Sequence, residues 1–183
     1  MNQCGMDWTV AVSDIQAVGL ESADLSMSGS WKYPELELTG LKAVLHGGHG
    51  DASGTLDLRS RLFEGESRFD FDIRRLAPLL DDKGRRWLAQ YGWEDPPEVE
   101  GRLRVRLPGW DDPPERWPEI LRDSLWIGGR FAAPSGGTFH GVPVSSARGH
   151  FARSDGVWTL PDLHVERPEG AIDLVGHYDV ATK

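Results

Sequence analysis

The last third of the chain constrains the fold more than any other stretch, because it alternates apolar and polar residues between tight turns. Val144–Ala147, Gly149–Phe151, Trp158–Val165 and Ala171–Tyr178 read as strand, with breaks at Ser154-Asp155-Gly156 and Arg167-Pro168-Glu169-Gly170. Asp155-Gly156 and Glu169-Gly170 supply residues that tolerate positive φ, and Pro168 has no place in a central strand. In the final segment Ile172, Leu174, Gly176 and Tyr178 fall on one face, with Asp173, His177 and Asp179 on the other. One greasy and one wet side marks a half-buried strand of an antiparallel meander, and only Val175 departs from the pattern.

The same grammar recurs earlier. Trp31-Lys32-Tyr33-Pro34-Glu35-Leu36-Glu37-Leu38 matches Trp158-Thr159-Leu160-Pro161-Asp162-Leu163-His164-Val165, and Gly54-Thr55-Leu56-Asp57-Leu58 matches Gly170-Ala171-Ile172-Asp173-Leu174. Recurrence of a β unit in the same order suggests a repeating architecture, the first copy being longer by about one strand.

In chain order, Thr9–Val12, Ile15–Leu20 and Ala23–Trp31 read as strands, the last with Leu25, Met27, Gly29 and Trp31 on one face. Leu36–Leu38 and Leu41–Leu45 continue, residues 46–50 make a turn, and Ala52–Leu62 and Ser67–Ile73 alternate again. The period then changes. Leu76, Leu79, Leu80, Trp87, Leu88 and Tyr91 take helical spacing, so 74–91 reads as one helix or two short ones broken near Asp81–Gly84. Val99–Leu107 is a strand with Arg102, Arg104 and Arg106 on its polar side; Pro114–Leu125 is a second helix with Trp117, Ile120 and Leu121 inward. Leu125–Ala132 and Phe139–Val142 return to strand. We expect a single β-rich module over 1–183, with a helix-containing insert at 74–125.

Two modest helices cannot cover ten or so one-sided strands, so the apolar faces must meet one another. They either close as a dry β-sandwich or line a long curled sheet with an apolar inside.

A chain of 183 residues is long enough for a sizeable core. Its formal charge of −9 argues against a nucleic-acid partner and against simple adhesion to anionic headgroups. The lone Cys4 permits no internal disulfide, and no stretch approaches the roughly 20 apolar residues of a spanning helix. No signal peptide is visible, and both ends abut strands, so we expect a piece of a longer protein.

No catalytic constellation assembles. His46, His49 and Asp51 are the tightest group of potential metal ligands, but they straddle glycines in a turn, and a polar turn explains them. His140, His150, His164 and His177 are scattered, mostly at polar-face positions; Asp57 and Asp173 sit on wet strand faces. There is no Gly-x-Ser-x-Gly elbow, and Gly47-Gly48 and Gly136-Gly137 lack the lysine and helix of a phosphate loop. We expect neither enzymatic activity nor a metal or other cofactor. Five of the eight tryptophans, Trp87, Trp93, Trp110, Trp117 and Trp126, cluster in or beside the insert. Packed, they would staple a helical cap onto the sheet. Exposed side by side, they would form a platform for a sugar or a membrane interface.

Gly129–Phe131, the run Phe139–Phe151, Trp158–Leu163 and Pro168-Glu169-Gly170, with Leu45–Gly48 leading to Gly54–Leu58, resemble the repeats of AsmA-like and TamB-like proteins. The likeness covers Val12–Ile73 and Leu125–Asp179; the insert departs from it. The resemblance implies the periplasmic part of an inner-membrane-anchored envelope protein, its anchor outside this chain. It further implies a long curled antiparallel meander with an apolar groove (taco-like), which shields phospholipid acyl chains for lipid transport or outer-membrane assembly. Envelope proteins at either membrane would be further partners. No catalytic residues carry over. The expected groove lining is Leu56, Leu58, Phe69, Phe71, Leu103, Val105, Phe151, Leu163, Val165, Ile172 and Leu174. The alternative is a secreted β-sandwich that binds carbohydrate through exposed tryptophans.

Overall fold

A computed structural model of the chain describes residues 5–13, 24–45 and 47–179. Its strands are β1 (Gly5–Val12), β2 (Asp24–Lys32), β3 (Glu35–Leu45), β4 (Gly48–Asp57), β5 (Leu62–Phe69), β6 (Tyr91–Gly92), β7 (Glu98–Arg106), β8 (Trp126–Ala133), β9 (Gly137–Phe139), β10 (Val142–Val144), β11 (Ser146–Ser154), β12 (Val157–Arg167) and β13 (Gly170–Asp179). The helices are α1 (Asp82–Leu88) and α2 (Trp117–Ser124), each near a short 3-10 turn.

Ten strands form one antiparallel sheet in the order β1-β2-β3-β4-β5-β7-β8-β11-β12-β13, and β10-β9-β6 form a three-stranded ribbon. The large sheet is an open meander whose two edges, β1 and β13, do not pair with each other. No second sheet of comparable size faces it among the described residues, so the β-sandwich alternative is not the fold. The protein is mainly β, as the alternation requires.

Register keeps the faces consistent from edge to edge. Directly opposed residues share a face, and the pairs Val10–Met27, Met27–Leu41, Leu41–Ala52, Ala52–Ser67, Ser67–Gly101, Gly101–Gly129 and Gly129–Phe151 run one row across eight strands. A one-residue slip anywhere would turn a strand's apolar set into water, so the pattern fixes the register. Bulges between Leu38 and Leu41 and between Leu160 and Leu163 absorb the odd residues.

Several boundaries move. Leu36–Leu38 and Leu41–Leu45 are one strand, β3, carried through its bulge. Ala52–Leu62 is not one strand. Asp57 accepts the amide hydrogens of Arg59 and Ser60 at 2.8 and 2.9 Å, which closes a turn over 58–61 and starts β5 at Leu62. For the same reason the strand read at Ser67–Ile73 stops early: it is the end of β5, which closes at Phe69, and Asp72 caps a 3-10 turn over Ile73–Leu79. The turn expected over 46–50 is shorter, since β4 begins at Gly48; His46, and the strand expected at Ile15–Leu20, lie outside the described residues. The helical stretch breaks as the spacing predicts, with Asp81 capping α1 through Gly84 N at 2.7 Å.

The internal repeat does not survive as a structural unit. Trp31 and Leu36 lie on either side of the β2–β3 turn, whereas Trp158 and Leu163 share β12 across a bulge. Pro34 makes a turn and Pro161 makes a bulge, two different uses of a residue that lacks an N–H. Within 74–125, the strand read at Val99–Leu107 is β7, one of the central strands of the sheet.

Three excursions leave the sheet. Residues 70–97 and the β9–β10 hairpin sit at the end where β5 finishes with Phe69. Residues 107–125, with α2, sit at the opposite end, beside the β2–β3 turn, as the pairings Leu62–Arg106 and Asp57–Glu35 establish. We call these the Phe69 end and the Trp31 end.

Candidate functional site

The apolar face is the feature that most needs explaining. Leu56, Phe69, Leu103, Val105, Phe151, Leu163, Val165, Ile172 and Leu174, all expected groove residues, lie on this one face by register. Leu58 and Phe71 fall just beyond strand ends. Leu58 sits in the β4–β5 turn with its N–H on the Pro34 carbonyl at 2.8 Å, while the Phe71 ring stacks on Phe69 at 4.9 Å. Among the described apolar side chains only Ala43, Leu88 and Val105 are buried, and no large side chain is wholly sequestered. At the edges the face is open: Met6, Val10 and Val12 on β1 and Ile172, Leu174 and Tyr178 on β13 are exposed.

Aromatic rings lie along this face over glycines. Phe151 covers Gly129, where a Cβ would collide with both the ring and the Glu100 carbonyl; Trp8 covers Gly29 in the same way, against the Glu37 carbonyl. The glycines therefore serve close approach rather than flexibility.

Arg153 is the departure from the pattern. It pairs with Ile127 and Trp158 on the apolar face and is 7% exposed. Its guanidinium donates to the carbonyls of Leu125 (3.1 Å) and Arg122 (3.2 Å), at the C-terminal end of α2. A cation there satisfies helix carbonyls and complements the helix dipole, which ties α2 to the sheet. Sequence alternation marks Arg153 as an anomaly on an apolar face, but the carbonyls it serves come from a distant segment.

The other face is a lattice of opposed charges. Glu64 faces Arg104 at 3.2 Å, Glu66 faces Arg102 at 3.6 Å, and Glu100 bridges Arg68 (3.6 Å) and Arg130 (2.7 Å). The basic stripe read from β7 is thus paired strand by strand, except Arg106, which faces Leu62. His150 meets Asp162 at 2.7 Å, and His164 meets Asp173 at 2.7 Å and Glu166 at 3.5 Å. The His150 backbone N–H and ring hold the Asp162 carboxyl below its usual range, as Ser146 and His164 do for Glu166. Burial pushes Asp72 upward, but hydrogen bonds from the Arg74 guanidinium and amide outweigh it and leave the carboxyl lowered.

Between two rows of these side chains runs a trough of about 950 Å³, reaching from Thr39 and Lys42 on β3 to His150 on β11 and Pro161 on β12. It opens on the polar face. Trp126 lines it, its ring lying over Gly128. Among the described residues no three His, Cys, Asp or Glu side chains converge as metal ligands; His49 and Asp51 stand on β4, His49 beside Asp70 at 3.8 Å. No described helix is long and apolar enough to cross a membrane.

The five tryptophans of the insert region form two groups, not one cap. At the Phe69 end Trp93 donates to Asp72 at 3.1 Å under the Arg74 guanidinium, and Trp87 leans on Tyr91. Trp110, Trp117 and Trp126 belong to the Trp31 end and are exposed, Trp117 contrary to the inward position expected for it.

No protein-family model, characterised protein or solved structure matches the chain.

Proposed function

We propose that this chain is a non-catalytic module of an envelope lipid-transfer or envelope-assembly protein, and that its apolar sheet face curls into a groove that shields phospholipid acyl chains. The reading places it in the periplasm, as part of an AsmA-like or TamB-like protein anchored in the inner membrane. The observation that carries it is the apolar face itself, continuous over ten strands and uncovered by a second sheet among the described residues. Apolar patches beyond a few hundred Å² mark interaction sites. Ten strands at about 4.8 Å spacing span about 45 Å, longer than an extended acyl chain. The glycine close approaches support the curl, because neighbouring backbone carbonyls crowd toward the apolar side at Gly29 and Gly129.

The energetics suit a passive conduit. Burying an acyl chain gains about 0.8 kcal/mol per methylene, so a chain of about 16 carbons gains on the order of 10 kcal/mol before the entropy of binding is subtracted. Nothing polar needs to read the tail.

Mass spectrometry of small molecules extracted from the purified protein tests the reading: phospholipid should co-purify with the wild type and be depleted in Leu103→Asp. Absence of lipid from a folded wild-type protein purified without detergent would refute it. One observation favours a second reading: Trp126 is exposed and lines the polar trough with its ring over Gly128, where a sugar ring could stack on it. Quenching of Trp126 emission by oligosaccharides, with no lipid bound, would turn the assignment to carbohydrate binding.

A further inference from the structure

The Trp31 end of the sheet carries a set of exposed aromatic rings, two of them, Trp31 and Tyr178, at the margin of the apolar face and the others on turns and loops beyond it. Trp31 is next to last in β2, Tyr33 forms the β2–β3 turn, Trp110 tips the 107–116 loop, Trp117 opens α2 and Tyr178 is next to last in β13; all five are exposed. Register puts them at one end, since Trp31 pairs with Leu36, Leu62 with Arg106 and Trp158 with Tyr178. They belong to separate turns spread along the sheet rather than to one pocket.

Trp110 is the extreme member, 96% exposed. Its loop is built to hold it out. Gly109 N donates to Asp112 Oδ2 at 2.5 Å, Asp112 N donates to the Gly109 carbonyl at 3.2 Å, and Trp117 Nε1 donates to the Asp112 carbonyl at 3.0 Å. Leu107 N is tied to the Arg61 carbonyl at 2.8 Å, and Pro108, Pro113 and Pro114 stiffen the remainder. A flexible loop would fold so large an apolar ring back onto the protein; this one keeps it in water.

We propose that this end docks on the surface of a zwitterionic phospholipid bilayer, with Trp110 as the leading anchor. Tryptophan and tyrosine favour the membrane–water interface, where an apolar ring and a polar N–H or O–H are both accommodated. Charge selects the lipid. Around the aromatics, Lys32, Arg59, Arg61, Arg106, Arg116 and Arg122 are outnumbered by Glu35, Asp57, Asp111, Asp112, Glu115, Glu119, Asp123, Asp155 and Asp179, so anionic headgroups are repelled rather than recruited. Insertion of aromatic rings, not a basic patch, supplies the affinity. The inference deepens the proposed function, on which it rests for its purpose: the apolar face reaches this end exposed at Met6 and Trp31, so docking there would bring a groove mouth to the lipid.

Co-sedimentation with phosphatidylcholine vesicles, alone and mixed with phosphatidylglycerol, tests it, together with quenching of tryptophan emission by brominated phosphatidylcholine. The wild type should sediment with pure phosphatidylcholine, lose binding as phosphatidylglycerol is added at low salt, and show bromine quenching. Trp110→Ser should lose most of the sedimentation and quenching, Trp110→Phe should recover part of it, and Trp87→Ser, at the opposite end, should behave as wild type. No binding of the wild type to phosphatidylcholine, or equal binding by Trp110→Ser, overturns the docking proposal and leaves the acyl-chain reading to its own lipid analysis. Vesicle binding through Trp110 by a protein that never carries lipid upholds the docking and defeats the groove.

Discussion

Gly129 shows how much of this fold rests on single positions. Phe151 lies on it and the Glu100 carbonyl stands where a side chain would begin. Gly129→Val should therefore destabilise by about 1–3 kcal/mol through overpacking, read as a lower urea midpoint with little change in slope. Arg153 is the polar counterpart. Arg153→Ala removes the donor to the Leu125 and Arg122 carbonyls and should cost about 1–3 kcal/mol, with α2 loosened before the sheet. Hydrogen exchange of the amides in 117–125 would reveal that order; protection unchanged there would show that the guanidinium does not hold the helix. Alternation made most face assignments legible, because period two leaves each residue only two sides to choose from. What it could not supply was the partner of Arg153, which lies about 30 residues away.

At the level of strands, the polar face explains how a single layer holds together. Opposed charges on β5, β7 and β8 bridge strands side by side, each cross-strand pair contributing about 0.2–1 kcal/mol. Exposed pairs are weak singly, so their effect is to favour one register over its neighbours. Asp162, Glu166 and Asp72 have carboxyls held below the ordinary range in the folded protein. Groups lowered in this way stabilise fully above the unfolded carboxylate pKa, about 4, and lose that contribution as pH falls through the lowered folded values. Stability should accordingly fall below about pH 4, and Asp162→Asn should narrow its gap to wild type as the solution is acidified. Circular dichroism across an acid titration measures this; a gap that widens toward acid would contradict the assignment. Turn chemistry decided the boundaries that strand periodicity missed. Asp57 stops one alternating run by binding the amides of Arg59 and Ser60, a device as visible in Asp-Leu-Arg-Ser as in any turn, yet masked by unbroken alternation on both sides. The repeat misled for a related reason. Its Trp-x-x-Pro spacing preserved which face each apolar residue takes, while Pro34 and Pro161 bend the chain in different ways.

For the whole molecule, the central matter is what an open ten-stranded sheet does with an apolar face that has no second layer among the described residues. A dry core would punish any charge placed in it. At the open edge the cost should be small: Leu174, 48% exposed, should tolerate Asp for about 1 kcal/mol or less, checked by thermal melting. Loss of the whole fold in Leu174→Asp would mean the face is covered by something else. The two faces also make different predictions about where a lipid touches. Leu103 and Arg102 are adjacent in β7 and point to opposite sides, apolar and polar. A photo-crosslinking amino acid at position 103 should capture phospholipid acyl chains, identified by mass spectrometry of the adduct, and the same group at position 102 should not; equal capture at both positions, or none at 103 in a folded protein exposed to lipid, would contradict the account.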